Sequence, residues 1–515
     1  MAKALLDMNI GNPLYTMSQR YPTRVAVIEG AGKGRRAHFK ELNERANMCA
    51  HGLMKMGLKK GDFVSLLMHN SIEYVEILHG LAKAGAINAS LVYRLAPQEM
   101  ALLINNCDAT TLIFGSEFTS IIDQIKGGLK TVKYYVCVGE GGPSYATPYE
   151  DMLKGQPVTE PDVEIYDDDP CFLNYTSGTT GMPKAVLLSH YNCVAGSLCT
   201  FANPWYLGPD DVMFCVFPLY GRIGMAQMFA CMMVGCRQVI MDFEPKKALE
   251  AVERERVTLL HAAPVMSFMM IEEMKQRAYD VSSVRGVISV GAPITEPIHN
   301  AIREHITPNI WDYSGTQETA GNYIAVPHMK RINHATLGTP TLFTKYRIVD
   351  AEGKDLPHGQ IGEIITRTAQ ASTEYFKDPV RTKEEIKDSW FYIRDVGHID
   401  ENGWVALGGR TKDMIKPGGQ QVMAPEVENV IMGHPAVADC AVIGLPDPKW
   451  GEVVTAVIAL KKDATVTEDE IVNLCRDKMA GFKIPRKVIF RSEVPRLPTG
   501  KVPKFKLVEE YSGKK

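Results

Sequence analysis

Residues 175–184 read YTSGTTGMPK. Thr176, Ser177, Thr179 and Thr180 offer hydroxyls there, and Gly178 and Gly181 leave backbone amides uncovered. Such groups can wrap the oxygens of a polyphosphate. Lys184 adds a point charge within reach of a phosphate. The spacing is not Gly-x-x-x-x-Gly-Lys-Ser/Thr, so the common nucleoside triphosphatase loop is excluded. The bland alternative is a serine- and threonine-rich turn. The strand-like PCFLNYT before the loop and the helix-like HYNCVAGSLCTFAN after it argue for a built site.

The elements that must position this loop show in the hydrophobic pattern. The chain has 515 residues, too many for one core, so two or more domains are expected. Short apolar, β-rich runs recur: DFVSLLMHN, ATTLIF, KYYVCVG, DVMFCVFP, RQVIMDF, VTLLHAAP and RGVISVGAP. Helix-like stretches such as SIEYVEILHGLAKAGA and PKKALEAVERERV lie between them. This alternation predicts an α/β fold with parallel sheets covered on both faces, to about Asn322. KYRIVDAEGKDLPHGQIGEIITR and GHIDENGWVALGG then read as antiparallel strands, with Asn402-Gly403 as a hairpin turn, and suggest a small barrel. After Gly409 a smaller α+β pattern follows, with Thr467 and Glu470 spaced for a capping box. The predicted division is 1–409 and 410–515.

Composition narrows the function. Net charge is -3, with no basic excess for nucleic acid and no like-charge tail. The 11 cysteines include no C-x-x-C pair, so zinc ribbons and thioredoxin-type sites are not expected. The N-terminus lacks an uninterrupted apolar segment, and free thiols in a reducing cytoplasm are the expectation. The most apolar region, 212–236, is interrupted by Pro218, Arg222 and Gln227. It reads as a buried strand and helix, with no stable membrane insertion.

YTSGTTGMPK resembles the signature loop of the adenylate-forming superfamily, which includes acyl-CoA synthetases, adenylation domains of peptide synthetases and firefly luciferase. The resemblance covers nearly the whole chain. SGTQETAG, 314–321, resembles the family's Tyr-Gly-x-Thr-Glu segment. Glu318 takes the place of its magnesium-binding glutamate, and a carboxylate beside a polyphosphate needs a cation between them. Ser314 replaces the adenine-stacking tyrosine and Gln317 the phosphate-contacting threonine, with Gly315 between, and Tyr313 or Thr316 are candidate substitutes. SVGAPI, 289–294, resembles the segment lining the adenine and acyl sites through Gly291, Ala292 and Pro293. WFYIRDVGHIDENGW resembles Gly-Trp-x-x-Thr-Gly-Asp, and Asp395 matches the aspartate that binds both ribose hydroxyls. Ile393-Arg394 replaces Thr-Gly there. In GRTKDMIKPGGQQVMAPEVE, Arg410 matches a ribose or phosphate contact, Lys412 the hinge, and Gly418 and Gly419 the loop that admits pantetheine. Lys501 in VPRLPTGKVPKFKL matches the lysine that assists adenylation by easing repulsion between two anions. The implied catalytic set is Lys501, Thr176 and Glu318.

FPLYGRIGMAQ, 217–227, resembles Pro-Leu-Phe-His-x-x-Gly, with Gly221 in place of histidine and Arg222 next to it as a candidate for CoA or phosphate. Tyr220, Gly221, Met225, Gly291 and Gly315 form the candidate acid pocket. Nearby methionines suit an irregular apolar acid of medium-chain, aromatic or alicyclic type, although most can equally be core packing. The resemblance implies an AMP-forming acyl-CoA ligase using ATP, Mg2+ and CoA, as a monomer or homodimer. Since no carrier domain follows residue 515, a free thiol acceptor is expected. A separate carrier protein, a luciferase-like oxygenation, a phosphotransferase releasing ADP and a non-catalytic nucleotide-binding relative are the alternatives.

Overall fold

The computed structural model describes residues 8–30, 34–176, 183–292, 294–410, 413–420, 422–496 and 502–512. The apolar runs become strands of two large sheets. In an eight-stranded sheet, Phe63–Leu67 pairs in parallel with Ile87–Ser90 and with Thr111–Gly115, and Tyr134–Val138 continues the parallel set. In a nine-stranded sheet, Arg237–Ile240, Val212–Cys215, Leu259–Ala262, Gly286–Ser289 and Ile310–Thr316 lie side by side in parallel. Both faces of such strands are covered, so a continuous apolar run replaces strict alternation.

The helix Ile72–Ala84 is enclosed almost all round, with Glu73 the one residue of it that is not buried. Its ends are specified locally. The Ser71 hydroxyl accepts from the Tyr74 amide, and Gly85 closes the helix at φ 68°. Gly80 permits close approach to the helix Phe39–Met56. A Cβ there would lie 2.9 Å from Cys49 Sγ and 3.0 Å from the Ala46 carbonyl oxygen.

A third, five-stranded sheet is antiparallel. Thr344–Val349, Gly362–Thr368, Trp390–Ile399 and Ile386–Lys387 run in that spatial order, and Val405–Arg410 pairs with Trp390–Ile399. The turn at Asn402-Gly403 closes the last hairpin, with Gly403 at φ 77°. The C-terminal domain pairs Val437–Asp447 with Gly451–Leu460 antiparallel and adds Lys487–Arg491 in parallel. Thr467 and Glu470 form the expected capping box before the helix Glu468–Arg476.

One local expectation is corrected. The phosphate-loop candidate does not run from strand directly into helix. Pro170–Thr176 enters it, and Lys184–Ser189 leaves it as an antiparallel partner, with Tyr175 opposite Ala185. The helix begins only at His190, capped by the Ser189 hydroxyl. The segment KAVLLS, unassigned from sequence, buries Ala185, Val186 and Leu188 and pairs as a strand, and the helix starts at the expected HYNCVAG. The 212–236 region is the strand Val212–Cys215 and the helix Arg222–Val234. No helix among the described residues is long and apolar enough to cross a membrane.

Several histidines are locked inside as neutral rings. Burial pushes His79 and His261 down to about 3 and His190 down to about 4. His79 is the costliest, because neither ring nitrogen has a hydrogen-bond partner. The unfolded chain takes up its proton below the ordinary value of 6.5, and the folded chain does so only near 3. Stability is therefore lost as pH falls through that window. His79→Leu should flatten the acid limb of the melting temperature profile between about pH 7 and 5. An acid limb of unchanged slope would contradict this account.

Candidate functional site

The loops after the parallel strands of the nine-stranded sheet form one row. Phe217–Gly221 follows Val212–Cys215, Gly291 and Ala292 follow Gly286–Ser289, and residues 314–318 end and follow Ile310–Thr316. Carboxyl ends of adjacent parallel strands are where open α/β sheets bind ligands. The eight-stranded sheet reaches the same place. Asn174 donates to the Tyr220 carbonyl at 3.4 Å, and the Tyr93 and Tyr220 rings meet edge to face at 5.5 Å.

Two glycines keep space open. At Gly291, φ is 90° and an added Cβ would touch nothing within 4 Å. At Gly221 the nearest atom to an added Cβ is the Pro218 carbonyl oxygen at 3.6 Å. Gly315 is required for the opposite reason. A Cβ there would sit 1.5 Å from the Ala320 carbonyl oxygen, where the returning strand Ala320–Ala325 crosses. Ala292 is exposed beside Gly291, and Tyr220 is half-buried with its hydroxyl pushed up to about 12 by burial.

Ser314, Gly315 and Thr316 reach the row, and the neighbouring Tyr313 does not. Its ring is buried against Phe201 and Trp205, with its hydroxyl 3.3 Å from His261 Nε2. Strand alternation turns Tyr313 into the core and Ser314 to the other side. Tyr313 is therefore removed as a replacement adenine platform. Thr316 is held by Thr319 at 2.9 Å between hydroxyls. The Gln317 side-chain carbonyl is buried without a partner.

Glu318 is tied into a network that crosses both large sheets. The Tyr375 hydroxyl lies 3.0 Å from Glu318 Oε1 and 2.6 Å from Glu385 Oε2. Lys184 Nζ donates to both Glu385 oxygens, at 2.8 and 3.0 Å. The strand Glu374–Tyr375 pairs with Lys184–Ser189, and the Ser372 amide donates to the Glu318 carbonyl at 2.8 Å. Neither Tyr375 nor Glu385 was named from sequence. The contacts join residues 57 and 201 positions apart, beyond the reach of any spacing rule.

Arg222 proves to be a structural clamp. Its guanidinium is buried and donates to the carbonyls of Gln317 and Gln370, and burial pushes it down to about 10. It holds the backbone behind Glu318 and is not offered to CoA or phosphate. Met225 is also buried, 1 % exposed, in the core with Met228 and Met232. Core packing therefore accounts for these methionines, and Met225 leaves the acid pocket.

Asp395 is 8 % exposed on Trp390–Ile399, opposite Arg410 on the neighbouring strand. Its charge acts on Tyr323, which pairs with Ser314, so the ribose and adenine candidates adjoin. Arg394 replaces the family glycine yet keeps a left-handed backbone, φ 62°, at a register shift between Ile364 and Ile365. In the C-terminal domain, Gly418 has φ 59°, and its amide donates to the Trp450 carbonyl at 2.8 Å. Ser177, Gly178, Thr179, Thr180, Gly181, Pro293, Lys412 and Lys501 lie outside the described residues, as do the side chains of Thr176 and Arg410 and the surroundings of Gly419.

Among the described residues no cluster of three or more His, Cys, Asp or Glu could cage a metal. Glu318 nevertheless fits one. Its hydrogen-bonding partner is the Tyr375 phenol, whose single proton Glu385 also faces, while the buried Arg222 guanidinium acts on it through space from behind the loop. A lone carboxylate suits Mg2+ that brings phosphate and water oxygens with it.

The strain at Arg394 gives a direct test. Arg394→Gly should raise stability by about 0.5–1 kcal/mol, the left-handed penalty less glycine's extra freedom when unfolded. The lost charge beside the largely buried Glu363 carboxylate, at 3.8 Å, opposes that gain, so the comparison is made in a Glu363→Gln background, where the backbone effect remains. Denaturant melts that show a loss instead would refute the strain.

Comparison with known proteins places this arrangement. Residues 14–376 match the family described as AMP-binding enzyme, and 426–501 match the AMP-binding enzyme C-terminal domain. The chain is 31 % identical over 508 residues to long-chain-fatty-acid–CoA ligase FadD13 of Mycobacterium tuberculosis, covering 98 % of this chain and 99 % of that one. It is 31 % identical to a feruloyl-CoA synthase of Amycolatopsis sp, covering 93 % and 94 %. The ATP-bound structure of MatB from Rhodopseudomonas palustris superposes with a TM-score of 0.89 at 27 % identity, covering 99 % of each. With both family models matched, the first over more than half of its length, the chain belongs to the AMP-binding enzyme family.

Proposed function

We propose that this chain is an AMP-forming ligase that joins an apolar carboxylic acid to the thiol of CoA. The observation that supports the reading is Glu318 on the same row of strand ends as the open positions Gly221 and Gly291, linked through Tyr375 and Glu385 to Lys184. Lys184 and the loop after Thr176 hold the phosphates, and Asp395 holds the ribose hydroxyls. Glu318 binds Mg2+, which when present neutralises charge on the phosphates. The acid carboxylate attacks the α-phosphorus of ATP, pyrophosphate leaves, and Lys501 offsets repulsion between the anions. The CoA thiol, losing its proton, then attacks the acyl carbonyl of the mixed anhydride and AMP leaves. Lys412 is the hinge that exchanges the domain faces between these steps, and Gly418 and Gly419 admit the pantetheine arm. No enzyme nucleophile is needed, and Cys171, Cys193 and Cys215 stay buried. The buried free thiols support a reducing, cytoplasmic location.

The acid lies between Tyr220–Gly221 and Gly291–Gly315. An apolar acid is supported by Val265, Phe268 and Met269, which are exposed on the helix that follows the neighbouring strand Leu259–Ala262. The test is ATP–pyrophosphate exchange over a panel of carboxylic acids without CoA. Exchange that depends on one apolar class is expected, with AMP as the nucleotide product once CoA is added. Release of ADP, or no exchange by folded protein that binds ATP, would overturn the reading. Lys501→Ala should abolish exchange while thioester formation from supplied acyl-AMP persists. Gly221→Phe should fold normally, because the position has room for a side chain at φ -96°. It should lower kcat/KM for bulky acids about tenfold or more through lost pocket volume.

A further inference from the structure

The network around Tyr375 contains an imbalance that the ligase reading alone does not use. A phenol has one proton, and here two carboxylates flank it. Glu385 has a second donor, Lys184, whose ammonium also lies 5.3 Å from the Tyr375 ring centroid. Lys184 is 24 % exposed and Glu385 15 %, so this ion pair is partly shielded from water and from salt. A lysine held by both oxygens of a carboxylate is not free for a phosphate.

We propose that Glu385 is a positioning residue that parks Lys184 in the ligand-free enzyme and, through Tyr375, releases it when a divalent cation occupies Glu318. This rests on the reading of Glu318 and the phosphate loop given above. A cation on Glu318 competes with the phenol for that carboxylate. The Tyr375 hydroxyl, already nearer Glu385 at 2.6 Å than Glu318 at 3.0 Å, then donates to Glu385 alone. Glu385 gains a full donor, its hold on Lys184 weakens, and the ammonium turns to the phosphates. Metal binding and phosphate binding are thereby coupled, and coupling of this kind is reciprocal. The linkage also favours the metal-bound nucleotide over the free one.

The experiment is calorimetric titration of ATP into the full chain, with and without Mg2+, for the wild type, Glu385→Gln, Tyr375→Phe and the double variant. Glu385→Gln frees Lys184 permanently, so metal-free ATP should bind about fivefold tighter, the scale of one partly exposed ion pair. The tightening that Mg2+ adds should shrink by the same factor, about fivefold, in Glu385→Gln. Tyr375→Phe cuts the link and leaves Lys184 parked. It should lose the same Mg2+ increment without the metal-free gain. The double variant should show no further loss of the increment, because both changes break one path. Equal changes with and without Mg2+, or additive losses in the double variant, would overturn the proposal. Wild-type protein that fails to bind ATP would instead overturn the functional reading on which it rests. Melting temperatures of all four proteins separate loss of coupling from loss of fold.

Discussion

The Tyr375 phenol oxygen links the carboxylates of Glu318 and Glu385 at the site. Tyr375 belongs to the segment that pairs beside the phosphate-loop strand, and its hydroxyl touches both Glu318 of the other sheet's last loop and Glu385. This contact joins the side chain of the carboxylate assigned to the metal to the ion pair of the lysine assigned to the phosphates. The fold's large features serve that junction. Parallel strands deliver their carboxyl ends to one line, and the antiparallel return Lys184–Ser189 places the lysine at the start of a rigid element. A cation on a strand end is more closely held than one in a free loop.

Behind that junction the protein buries charge with its partners. Arg222 spans the carbonyls of Gln317 and Gln370, so the loop bearing Glu318 is fastened from inside. On the same strand Asp312 meets Lys330 at 2.9 Å, with both side chains almost fully enclosed. Buried ion pairs add little net stability against apolar packing, and breaking one leaves a costly lone charge. Their effect here is to hold Ile310–Thr316 in one register, which sets where Ser314 and Glu318 stand. The departures from the family pattern fit the same scheme. Arg394 accepts a left-handed backbone, and Asp395 stays on its strand opposite Arg410.

The acid side of the cleft follows a different rule. Gly221 and Gly291 leave room, while Met225, Met228 and Met232 pack inward. Shape therefore comes from missing side chains more than from flexible ones. Tyr313, His261 and Gln227 form a satisfied polar chain below the row, enclosed by Phe201, Trp205 and Phe217. That chain gives the cleft a rigid floor.

Sequence by itself determined the parts that depend on local periodicity and on contiguous motifs. The apolar runs from 62 to 290 became parallel strands, the Asn402-Gly403 turn closed a hairpin, and Thr467 with Glu470 capped a helix. Each of these is decided within about ten residues, where turn chemistry and hydrophobic pattern act directly. Glu318, Asp395 and Gly291 were singled out by motif order, and the row of strand ends that holds Gly291 and Glu318 followed from the α/β class. Tertiary structure alone decided which side chains face the site. It turned Tyr313 and Met225 into the core, put Arg222 behind the Glu318 loop, and inserted a strand between the phosphate loop and its helix. It also brought Glu385 to Lys184 across 201 positions. Those outcomes depend on packing and on the alternation of individual strands. A one-residue change of register reverses them, and no motif records it.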